Sequence, residues 1–124
     1  MKGCIFAPQI NKKMSSKRLE QLMGFLANSP KEPFILFAIA KEYEKLNDKE
    51  KALGYYLQLE EGSPDYVGTY YHLGKLYEQL GEDAKAFFTY KKGMEEARKA
   101  GDQHSLAELA GAKMELGDDD DFED

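Results

Sequence analysis

The sequence has 124 residues, 42% of them hydrophobic, with a formal net charge of −6 and a single cysteine. That length suffices for one domain with a core, no apolar run approaches the ~18 residues that span a bilayer, and a lone cysteine forms no internal disulfide, so a cytoplasmic protein is expected. Charge is unevenly spread, with Lys2, Lys12 and Lys13 in the leader and six acidic residues after Gly117; no basic patch appears, which argues against nucleic acid or an anionic membrane as partner.

Residues 1–14 show neither helical nor strand periodicity and carry Pro8 in their middle, so a disordered leader is expected. They lack the continuous apolar stretch of a signal peptide. Met14, directly before the first capping signal, is an alternative start of translation. Ser15 or Ser16 can cap a helix over about Lys17–Asn28, whose apolar stripe is Leu19, Leu22, Met23 and Leu26 and which Ser29-Pro30 stops. Pro33 suits the first turn of a second helix, about Pro33–Leu46. Asn47-Asp48 then leads into a third, about Lys49–Glu61, closed by Gly62-Ser63-Pro64. A fourth helix is expected over Tyr66–Leu80 and a fifth over Asp83–Ala100; with Gly101 as stop and Asp102 as cap, a sixth runs over Gln103–Leu116. The acidic run 118–124 repels itself and is expected to be a solvated, disordered tail. The expected division is a leader (1–14), a helical domain (15–117) and the tail (118–124).

The helices repeat. Leu36, Ile39, Ala40, Tyr43, Leu46, Ala52 and Tyr56 recur 34 residues later as Tyr70, Leu73, Gly74, Tyr77, Leu80, Ala86 and Tyr90. A fixed period in this range marks stacked supersecondary units, none of which buries its apolar face alone. Leu19, Ser29 and Pro30 fall 34 before Leu53, Ser63 and Pro64, so the first helix has the pattern of a second helix without its mate. The sixth repeats the first-helix pattern at a spacing of 36, Leu106, Leu109, Ala110, Leu116 and Gly117 answering to Tyr70, Leu73, Gly74, Leu80 and Gly81. It reads as a polar capping helix, with Lys113 near the place of Tyr43 and Tyr77. Small residues at Ala40/Gly74 and Ala52/Ala86 fit close crossing of the two helices of a pair. Tyr43/Tyr77 and Tyr56/Tyr90 are expected to fill the space between successive pairs.

This pattern, with Tyr70-x-x-Leu73-Gly74-x-x-Tyr77 at its centre, resembles the tetratricopeptide repeat over about residues 17–116. Asn47 stands where the family usually has Gly, and Gly93 where it usually has Ala. The resemblance implies an all-α, right-handed α-solenoid of antiparallel helix pairs, with about six helices: a half repeat, two full repeats and a capping helix. It also implies a non-enzymatic protein–protein interaction module whose first helices line a concave, peptide-binding groove. Carried over by position, that groove would present Phe34, Phe37, Lys41 and Glu44, then Tyr71, Lys75 and Glu78, then His104, Ala107, Glu108 and Gly111. Phe37 and Tyr71 sit one residue off the packed stripe and are expected to be exposed anchors for a protein or peptide partner. The clamp that some family members use on chaperone tails is not matched, since Phe37 and Ala38 stand where polar donors are needed.

Catalysis finds little support. His72 and His104 lie on different helices without a cysteine or carboxylate at ligand spacing, and both are expected to be exposed. No nucleophile triad, phosphate loop or nucleotide fingerprint is present, and the four-Asp run lacks the spacing and turn glycine of a calcium loop. No cofactor or metal is expected. The alternative to a peptide-binding adaptor is a self-associating scaffold, a homo-oligomer through the helix at 17–28, where Met23, Phe25 and Leu26 would leave an apolar surface.

Overall fold

The computed structural model describes residues 16–122; the expected leader 1–14 lies outside the described residues, as do the last two residues of the acidic tail. Among the described residues six α-helices follow one another: α1 Lys17–Asn28, α2 Pro33–Lys45, α3 Lys49–Gly62, α4 Gly68–Gln79, α5 Asp83–Ala100 and α6 Gln103–Leu116. A single 3₁₀ turn, Asp119–Asp121, comes after them. There is no strand among the described residues. The start of α4 differs most from expectation: Tyr66, Thr69 and Tyr70 each donate their N–H three residues back, so Tyr66 and Val67 are spent in tight turns.

The helix ends follow local chemistry. Ser16 caps α1 by accepting from the Leu19 N–H at 2.9 Å, and Pro33 opens α2 where a missing N–H costs nothing. Asp102 caps α6, accepting from both the Ser105 N–H at 3.0 Å and the Ser105 hydroxyl at 2.7 Å. These two bonds hold its carboxyl below the ordinary value of 3.8. With the folded pKa lowered, the contribution of this cap is present above the unfolded value and fades as pH falls through the folded one. Asp102→Asn keeps an acceptor for the N–H, so acid titration followed by circular dichroism should show a smaller loss of stability in acid than in wild type.

The ends of α2 and α4 are the same structure with different residues. Asn47 (φ 62°) and Gly81 (φ 78°) both take the left-handed conformation. Around them the Asp48 N–H reaches Tyr43 O at 2.9 Å and the Glu82 N–H reaches Tyr77 O at 2.9 Å, the six-to-one bond of a Schellman stop. Glycine adopts this conformation without the Cβ penalty that asparagine retains in part. Asn47→Gly should therefore raise stability by a few tenths to about 1 kcal/mol, and Asn47→Ala should lower it by about 1 kcal/mol, both read from urea unfolding midpoints.

The chain divides into two compact units, the first reaching Tyr55 and the second beginning at Tyr56 within α3. In the first, α1 packs on α2 through Leu19, Leu22, Ala38 and Ile39, with Met23, Leu26, Tyr43 and Tyr55 against them. In the second, α5 packs against both α4 and α6 around Tyr70, Ala86, Tyr90, Ala97 and Leu109. The tyrosines are used only in part as their repeat positions suggested. Tyr56, Tyr70 and Tyr90 are fully buried, whereas Tyr43 and Tyr77 are half-buried. Tyr43 stacks on Tyr55 of its own helix pair at 5.8 Å, and Tyr90 lies on Gly74 of its own pair. For Tyr90 a glycine on the facing helix opens the room, whereas Tyr56 stacks on His72 of the next pair and Tyr43 also packs against the α1 cluster, as expected of rings between pairs.

One buried polar group is left over. Thr69 is fully buried and its Oγ1 finds no hydrogen-bond partner among the described residues. A buried hydroxyl without a partner costs about 1–3 kcal/mol of desolvation, and valine has nearly its shape. Thr69→Val should then raise the unfolding free energy by about 1 kcal/mol, and an unchanged or lower urea midpoint would contradict it.

The tail departs from expectation in residues 118–122. Asp118 and Asp121 form a reciprocal capping box around the 3₁₀ turn, the Lys113 ammonium lies 3.4 Å from Asp119, and the Phe122 ring stacks on Phe87 with centroids 4.4 Å apart. Asp118, Asp119, Asp120 and Asp121 stay exposed, as charge repulsion predicts, while Phe122 is half-buried.

Candidate peptide-binding faces

In the first unit, α2 carries Phe34, Phe37, Lys41 and Glu44. Phe34 is 63% exposed, while Phe37, expected to stand clear of the core, is half-buried. Phe34, Phe37 and Lys41 come together with Arg18, Ala38, Glu42 and Lys45 around a depression of about 420 Å³. Glu44 lies on the same helix, half-buried and outside that lining. The lining combines apolar Phe34, Phe37 and Ala38 with the cations Arg18, Lys41 and Lys45 and the carboxylate of Glu42.

Glu42 was not singled out by its sequence pattern. Its side chain is only 5% exposed, and it accepts from the Ser16 hydroxyl at 3.1 Å while facing Arg18 Nε at 3.4 Å and Lys45 Nζ at 3.8 Å. A buried carboxylate needs such partners. It ties the start of α1 to α2, and with a partner 26 residues away no local spacing announces it.

In the second unit, Tyr71, Lys75 and Glu78 do come together on α4. Tyr71 is half-buried rather than exposed. Its ring meets His72 edge-on at 5.6 Å and lies 6.4 Å from Tyr90, and the Lys75 ammonium sits 5.6 Å over it. Lys75 faces Glu78 at 3.8 Å and Glu115 of α6 at 4.0 Å. Glu78 accepts from the Tyr90 hydroxyl at 2.5 Å. Burial first, then this hydrogen bond, pushes the Tyr90 phenol well above its ordinary range. His72, expected to be exposed, is half-buried and stacks on Tyr56 at 6.4 Å and 7°. His104, Ala107, Glu108 and Gly111 occupy exposed positions of α6; the residue of that helix that reaches the Tyr71 cluster is Glu115.

A second depression of the same unit, about 480 Å³, is lined by Glu60, Tyr77, Ala84, Lys85, Phe88, Thr89 and Lys92. Lys92 reaches Glu60 at 3.4 Å and Lys85 lies 5.8 Å over Tyr77. Apart from Tyr77 of α4, the lining comes from the second helices α3 and α5, which the first-helix pattern did not cover. Among the described residues no group of three or more His, Cys, Asp or Glu side chains could hold a metal ion, and no helix is long and apolar enough to cross a membrane.

Antiparallel helices with a 34-residue repeat, presenting aromatic and charged side chains from their first helices, define a helical-repeat protein. A family model described as tetratricopeptide repeat matches residues 35–66 and 67–99, and the chain belongs to that family. A crystal structure of a tetratricopeptide repeat domain protein from Salinibacter ruber is 47% identical, with a TM-score of 0.67 over 68% of this chain and 94% of that one. A solution NMR structure of a tetratricopeptide repeat domain protein from Salinibacter ruber, also 47% identical, gives 0.68 over 70% of this chain and 88% of that one. No curated protein matches. Repeats of this family generally mediate protein–protein interaction.

Proposed function

We propose that this protein is a non-enzymatic adaptor that binds peptide segments on its first helices. α2 would act in the first unit, and α4 with α6 in the second. The observation that carries this reading is the depression lined by Phe34 and Phe37 beside Arg18, Lys41 and Lys45. Large exposed aromatics next to fixed charges are the usual anchors of peptide recognition. Phe34 is the anchor of the first unit, because Phe37 is already committed to packing. In the second unit the Tyr71–Lys75–Glu78 cluster, with Glu115, offers a fixed pair of charges beside an aromatic edge. His104, Ala107, Glu108 and Gly111 complete that face by position. The single cysteine is compatible with work in the cytoplasm, which belongs to the same proposal.

Selection of a random peptide library against the purified protein tests it. Enriched peptides should share an apolar anchor residue, and Phe34→Ala with Lys41→Ala should weaken them at least about tenfold, the scale of a 1.4 kcal/mol contact. Lack of enrichment over an unrelated helical protein, or binding indifferent to both substitutions with helicity preserved, would remove α2 as the site.

A further inference from the structure

We propose that residues 118–122 are a one-turn stub of a second helix, and that they cover an edge of the second unit that fits α1 of another copy of this chain. The register carries the first half. Leu116 and Gly117 answer to Leu80 and Gly81 at a spacing of 36, so Asp119 answers to Asp83, the first residue of α5, and Phe122 to Ala86. The 3₁₀ turn starts at Asp119, where the repeat calls for a second helix to start. Phe122 lands where the second helix of a pair makes its first buried contact, and there it stacks on Phe87, a fully buried residue of the preceding second helix. Lys113 holds both sides, its ammonium 4.8 Å over the Phe87 ring and 3.4 Å from Asp119.

The second half rests on complementarity. α6 is a first helix followed by this stub, and α1 is a second helix with no first-helix mate among the described residues. By register Phe25 of α1 takes the place of Gly93, which packs on Tyr70 of its own first helix. Phe25 is 59% exposed and is not among the described residues that make up the hydrophobic cluster of its unit. The counterpart of Tyr70 in α6 is Leu106, half-buried at the rim of the second core. Charge runs the same way: Lys2, Lys12, Lys13 and Lys17 lie at or before the start of α1, against the acidic residues from Asp118 onward. α6 of one copy and α1 of the next would complete a helix pair, with the stub displaced because both claim one place.

Such a head-to-tail contact does not close on itself and would grow with concentration. It goes beyond the peptide-binding reading and does not depend on it. Sedimentation velocity over a wide concentration range compares wild type, Phe122→Ala, and a chain ending at Gly117, each checked for helicity by circular dichroism. Wild type is expected to stay monomeric, while both variants show a mass that rises with concentration. Adding Phe25→Glu to either variant is expected to restore the monomer. Three results would overturn the proposal: folded variants that stay monomeric throughout, assembly indifferent to Phe25→Glu, or wild type assembling as readily as the variants. Phe122→Ala alone decides the matter if the shorter chain does not fold.

Discussion

Truncating Tyr90 to alanine is expected to lower stability by about 3–5 kcal/mol, by analogy with other buried aromatic truncations. The ring is fully buried in the second core and lies on the Gly74 backbone, where a Cβ would meet Tyr90 Cζ at 2.6 Å and Cδ1 at 2.7 Å. At roughly 3–5 °C per kcal/mol, between the values for smaller and larger domains, the thermal midpoint should fall by about 10 °C or more. The same geometry predicts a coupling. Gly74→Ala alone should cost about 1–3 kcal/mol through overpacking. In the Tyr90→Ala background the ring is gone and alanine is the better helix former, so the same change should become neutral or favourable. Equal costs in the two backgrounds would show that Tyr90 does not fix residue 74.

The hydroxyl of Tyr90 adds a pH dependence. Its pKa is raised above the ordinary value of 10.0 by burial and by the hydrogen bond to Glu78. A raised folded pKa gives stability that is fully present below about 10 and lost as pH climbs above it. Tyr90→Phe keeps the ring and should lose less stability between neutral and strongly alkaline pH than wild type does. Tyr70, raised by burial and nearby carboxylates, keeps part of that sensitivity in the variant.

Gly93→Ala is the second large effect, and its sign runs against helix propensity. A Cβ there would meet Tyr70, its Cγ at 2.9 Å, and Leu109 Cδ1 at 3.0 Å, so α4, α5 and α6 would all have to shift. Overpacking costs about 1–3 kcal/mol, offset by at most about 1 kcal/mol of propensity, so a net loss is expected. Gly54 in α3 is the control. Nothing lies within 4 Å of a Cβ there, and Gly54→Ala should stabilise by up to about 1 kcal/mol. Urea midpoints of the two variants should move in opposite directions; a gain for Gly93→Ala would mean that the three helices have slack.

Much of this was legible because it is local. Ser16, Pro33 and Asp102 mark helix starts by their own chemistry, and Gly101 marks a stop, so α1, α5 and α6 fall where capping places them. The 34-residue repeat of Leu, Ala or Gly and Tyr positions carried the family as well. The candidate site was read less well. The family resemblance, carried over by position, named Phe34, Phe37 and Lys41 together, and likewise Tyr71, Lys75 and Glu78. The packed stripe added only that Phe37 and Tyr71 lie beside it. It did not tell how far each ring sinks, since Phe37 and Tyr71 lean on neighbours that the stripe does not count.

What the sequence determined by itself is the helical repeat, the helix ends marked by caps and its family, because hydrophobic period and capping act within a few residues. Tertiary structure alone decided which tyrosines are core, that Glu42 is buried beneath Arg18, and that Phe122 stacks on Phe87. Those outcomes depend on volumes and charges brought together from distant positions. A glycine gains its meaning there only from the ring that fills its space.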